Sequence, residues 1–167
     1  MRRHLALALS LTLALMAAAP TAAGKKPEVP ETVAESPAKA VVTGAVLAKI
    51  DCKAALVFSG PGGWRLGLFS GPAPAKGYLL KGQILFKAKP APGTYTLENL
   101  SLADLLVANP ESEDLAWASA EKTRLVAFSL TLTAAGPGAL HGSIKATLPP
   151  QSPKTYPRRT VDVAITF

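Results

Sequence analysis

The chain has 167 residues, with 18 Lys and Arg against 11 Asp and Glu, a formal net charge of +7, two histidines and a single cysteine. One cysteine excludes an internal disulfide, and one cysteine with so few histidines excludes a structural zinc site of the four-ligand kind. The positive balance favours anionic partners over cationic ones and says nothing about fold.

Residues 1–23 have the layout of a secretory signal peptide. Arg2 and Arg3 form a positive start, Leu5 to Ala19 is an unbroken run of apolar and small residues, and small residues follow from Pro20 to Gly24. The run falls short of the roughly 20 apolar residues of a spanning helix. The expectation is export, to the periplasm or outside the cell. Cys52 lies too far from the run to serve as a lipoprotein anchor. It reads instead as a small buried hydrophobe in LAKIDC.

Residues 24–40, including KKPEVPETVAESPAKA, mix prolines with charges of both signs and have only Val29 and Val33 as large apolar residues. Such a composition offsets little ordering entropy, and a flexible tether is expected. Residues 41–167 are then one domain, large enough to stand on its own core.

From residue 41 onward short strands are expected at VVTGAVLAKID, ALVFS, WRLGLFS, LLKGQILFKA, TYTLENL and DLAWAS. The tetrapeptide FSGP begins at Phe58 and again at Phe69, closing an apolar run each time. Glycine supplies unusual backbone angles and proline removes a ladder donor, so both copies read as turns. GPGGWR lacks the spacing of a phosphate-binding loop, and a strand rather than a helix follows it. SLADLLVA reads either as a strand or as a short helical turn, the turn favoured by Ser101 as cap, Asp104 three residues on and Asn109-Pro110 as the stop.

The alternation is clearest at the C-terminal end. Phe128, Leu130 and Leu132 face one way in FSLTLT; Leu140, Ile144 and Leu148 do so in LHGSIKATL, and Val161, Val163, Ile165 and Phe167 in TVDVAITF. Threonines and other polar residues occupy the opposite face, as in half-buried antiparallel strands. AAGPGA should join the first two of these as a hairpin. The fold class expected is therefore all-β, an antiparallel β-sandwich of immunoglobulin-like architecture, with a small closed β-barrel as the alternative. An outer-membrane barrel is disfavoured by scarce aromatics and by strands mostly shorter than the roughly 9–11 residues that spanning requires.

Catalytic residues are few. His141 and Ser143 share the outward face of one expected strand, but no carboxylate is placed by sequence to orient them. A non-catalytic module is the reading, and a secreted hydrolase using Ser143 and His141 is the rival. Glu111, Glu113 and Asp114 in NPESED lack the ligand alternation and glycine of a calcium loop, so a solvated turn is expected. No metal or other cofactor is implied.

Basic residues are the remaining signal. Lys81, Lys87 and Lys89 would line one face over about 26 Å of strand. Lys154, Tyr156, Arg158 and Arg159 form a second group. If the two converge, Lys81, Lys87, Lys89, Arg158 and Arg159 make a surface for anionic polysaccharide, a membrane surface or an envelope protein, with nucleic acid not expected. The competing explanation is that lysines guard an exposed strand edge against aggregation. A monomer is expected, or else a subunit of an envelope assembly whose open strand edges pair with partners.

Overall fold

A computed structural model describes residues 31–71, 77–119, 125–151 and 159–167. The expected signal peptide and the first residues of the expected tether lie outside them. Ten strands follow in chain order: β1 Glu31–Gly44, β2 Ala48–Phe58, β3 Trp64–Ser70, β4 Leu79–Phe86, β5 Gly93–Tyr95, β6 Leu100–Asn109, β7 Ser112–Ser119, β8 Ala127–Gly136, β9 Ala139–Leu148 and β10 Val161–Thr166. Every pairing is antiparallel, in the order β5-β8-β9-β10-β1-β2-β3-β4-β6-β7.

The all-β antiparallel expectation holds: the strands form one continuous sheet, and that sheet is not closed into the barrel given as the alternative. A single sheet with one apolar face must cover that face with itself. Alternation along each strand directs Ala40, Leu56, Leu66, Leu80, Leu105, Leu130, Ile144 and Ile165 into one shared cluster, so the sheet curls around it. The curl brings distant strands together. Trp117 of β7 bridges to Pro150 beyond β9, with Ala118 N–H donating to Pro149 O at 3.2 Å and Gln151 N–H to Ala116 O at 2.9 Å. On the other side Gly138 N–H, in the β8–β9 turn, donates to Val33 O at 3.3 Å. The interior is occupied by the protein's own side chains, with Trp117 and eleven leucines and isoleucines among the largest fully buried.

Two expectations about elements are corrected. Glu31 to Ala40, expected within the tether, form the first part of β1, one of the central strands, with Ala34, Ser36, Ala38 and Ala40 buried. Pro37 is tolerated because β10 pairs only with Lys39 to Gly44, leaving residue 37 with a single ladder neighbour, β2. SLADLLVA is strand, not helical turn. Ala103, Leu105 and Val107 point into the core, and pairing with β4 and β7 satisfies the backbone on both sides.

The turns follow the glycine grammar. A short 3-10 turn at Gly60–Gly62 links β2 to β3, and Gly138 at φ +73° closes the AAGPGA hairpin. The second FSGP ends β3 at Ser70; residues 72–76 lie outside the described residues. Gly142 is required by close approach: a Cβ there would sit 2.4 Å from Thr131 O and 3.0 Å from the Phe167 ring. No helix among the described residues is long and apolar enough to cross a membrane.

Candidate functional site

The strand directions sort the basic residues. β4 ends at Phe86, so Lys87 and Lys89 do not continue the face that carries Lys81. Lys87 Nζ donates to Glu98 O, and Lys89 Nζ lies 5.7 Å from the centroid of the Trp64 ring. Trp64 packs in turn on Phe58, ring centroids 4.9 Å apart. Both lysines thus sit at the end of the sheet where Glu31 pairs with Phe58 and Phe58 with Trp64. Arg159 enters β10 at Val161, which pairs with Gly44 at the far end of β1. The expected convergence of all five residues does not occur, because β1 alone is 14 residues, roughly 45 Å, long. Arg158 lies outside the described residues, as do Lys154 and Tyr156.

Lys81 belongs instead with the Arg159 end. Trp117 is fully buried and ties several segments together there: its Nε1–H donates to Arg159 O at 2.8 Å, and its ring lies 6.3 Å from that of Tyr78, just before β4. The bridge to Pro150 places Gln151 beside the same strand. Lys81 and Arg159 are both exposed. Edge protection does not account for Lys81, since β4 is flanked by β3 and β6.

Next to this end, on the outer face of β4, β6 and β7, lies a shallow groove of about 480 Å³ lined by Lys81, Gln83, Asp104, Leu106, Ala118 and Gln151. The register builds it: Gln83 is directly opposite Asp104, and Leu106 lies between Lys81 and Ala118. Asp104 Oδ1 is buried without a hydrogen-bond donor among the described residues. Ser119, behind the groove, has its hydroxyl committed inward, accepting from Leu105 N–H at 3.0 Å and donating to Ala103 O. Neither Gln83 nor Asp104 was singled out as a site residue from the sequence. The apolar neighbours Leu102, Leu105 and Leu106 hid Asp104 in what read as a helical turn.

A second groove, about 390 Å³, lies on the outer face of β8, β9, β10 and β1, where Ala164 makes a dip between Val41 and Lys145. Two of its polar groups pair with each other, Thr147 Oγ1 donating to Asp162 Oδ1 at 2.6 Å. His141 is exposed and Ser143 half-buried on the outer face of β9, and among the described residues no hydrogen bond joins their side chains. In NPESED the turn is confined to its start, where Asn109 Oδ1 accepts from Glu111 N–H at 2.9 Å; β7 begins at Ser112, so Glu113 and Asp114 are strand residues and not part of the expected turn. Cys52 is buried, as expected, and burial, with the charge of Asp51 adding to it, pushes its thiol up to about 11.

The described residues carry as many acidic as basic side chains, so the chain's excess positive charge resides in residues outside them. Of the connections concerned, 72–76 ends one residue short of Tyr78 and 152–158 runs from Gln151 to Arg159, and Tyr78, Gln151 and Arg159 are gathered around Trp117. Comparison with protein-family models, with curated proteins and with solved structures finds no match for this chain.

Proposed function

We propose that the protein is an exported, non-catalytic binding module that holds an acidic polysaccharide at the Trp117 end of its sheet. The observation that carries this reading is the convergence on Trp117 of Tyr78, Gln151 and Arg159, which lie at or next to the ends of the connections whose sequence includes Lys76, Lys154 and Arg158. Lys81 and Arg159 are the contacts among the described residues, and Lys87 and Lys89 are not. A core closed by the protein's own side chains supports a ligand met from outside. Export rests on the signal-peptide layout.

Binding to alginate at about 20 mM and about 200 mM salt tests the proposal, because exposed charge contacts are screened over this range. The Lys81→Glu/Arg159→Glu variant should bind at least about tenfold more weakly at low salt, and Lys87→Glu/Lys89→Glu should bind as the parent does. Binding that ignores salt, or none at low salt, would refute it.

A further inference from the structure

We propose that the groove between β4, β6 and β7 is a saccharide subsite in which Asp104 accepts hydrogen bonds from sugar hydroxyls. The starting observation is Asp104 Oδ1, buried with no donor among the described residues. A buried carboxylate oxygen without a partner is costly, and native proteins retain few of them unless something else fills the role. Two nearby donors do not fill it. Gln83 stands directly across the ladder and Lys81 one step along the same face, yet neither bonds to that oxygen.

The lining selects the ligand. An anion is disfavoured at Asp104 by its charge. A bare metal ion is disfavoured by the Lys81 ammonium, and the described residues hold no group of three metal-ligating side chains. An apolar ligand would leave Lys81, Gln83, Asp104 and Gln151 unpaired. A sugar ring meets all these conditions. Its hydroxyls donate to Asp104 and exchange hydrogen bonds with the amides of Gln83 and Gln151, while Lys81 donates to ring or hydroxyl oxygens. Its C–H face lies on Leu106 and Ala118. The groove, about 480 Å³, is within the ordinary range for small-ligand sites. The subsite rests on Asp104 and the amides, so it is independent of the acidic-polysaccharide reading and is tested with neutral sugars.

The experiment is a titration of the ¹⁵N-labelled protein with maltose, lactose and N,N′-diacetylchitobiose, each to about 50 mM, followed by amide chemical shifts. At least one disaccharide should shift the Gln83, Asp104, Leu106 and Gln151 resonances in a saturable way, with a millimolar dissociation constant. Asp104→Asn and Gln83→Ala should each weaken that binding about tenfold or more. Arg159→Glu alone, at a residue that does not line this groove, should weaken alginate binding on the other reading and leave neutral-sugar binding as in the parent. Asp104→Leu, judged by its urea midpoint, should be at least as stable as the parent, because it removes an unpaired buried oxygen. Absence of groove shifts with all three sugars, or parental affinity in Asp104→Asn, would overturn the subsite. A lowered midpoint for Asp104→Leu would do the same, since it would give Asp104 a structural partner.

Discussion

Trp117 shows how a single side chain can set the geometry of one end of a sheet. Its ring fills the core and its one N–H reaches the carbonyl of Arg159, 42 residues away in sequence. Trp117→Phe keeps most of the volume and removes only that donor; urea unfolding should register a loss of about 1 kcal/mol, and alginate binding should weaken as Arg159 is released. Trp117→Ala should cost about 3–5 kcal/mol by the same assay. Cys52 offers a pH test. Its folded thiol titrates near 11 rather than at the ordinary 9.0, because burial disfavours the thiolate. The unfolded chain therefore loses its proton first as pH rises. The contribution of Cys52 is fully present below about pH 9 and falls away up to about pH 11. Cys52→Ala should flatten that part of the stability profile, and the native thiol should react with a disulfide reagent at pH 8 far more slowly than the unfolded one.

At the scale of elements, legibility in the sequence depended on the size of the inward residues. β8, β9 and β10 carry Phe, Leu, Ile and Val inward against polar residues outward, and their faces agree with the alternation. β1 alternates just as strictly, but its inward residues are Ala34, Ser36, Ala38 and Ala40. Small side chains there leave room for the large leucines of facing strands, yet they give a composition like that of a tether. β6 was obscured differently, since Leu102 and Leu106 on its outer face break the period of two. The groove residue Lys81 is readable as an outward position, but its meeting with Gln83, Asp104 and Gln151 in one groove depends on a pairing order that no local pattern encodes. Removing residues 1–40 tests β1: the product should be unfolded or strongly destabilised by circular dichroism and urea melting, whereas a true tether could be removed without loss. Gly142→Ala tests the close approach of β8 and Phe167 to β9, and overpacking there should cost about 1–3 kcal/mol.

As a whole, the molecule is a ten-stranded sheet curled around one apolar cluster, with the described charges balanced and the excess positive charge in segments outside the described residues. A core closed by the protein's own side chains leaves the outer face and the ends of the sheet for recognition, and Trp117 ties Tyr78, Gln151 and Arg159 together at one of those ends. Mapping an alginate oligosaccharide onto the ¹⁵N-labelled protein at low salt addresses this most directly. The account predicts the largest amide shifts at Lys81, Gln151 and Arg159, with the inward residues Leu56, Leu66 and Leu132 unmoved. Shifts centred on those inward leucines, or on Lys87 and Lys89 at the opposite end, would contradict it.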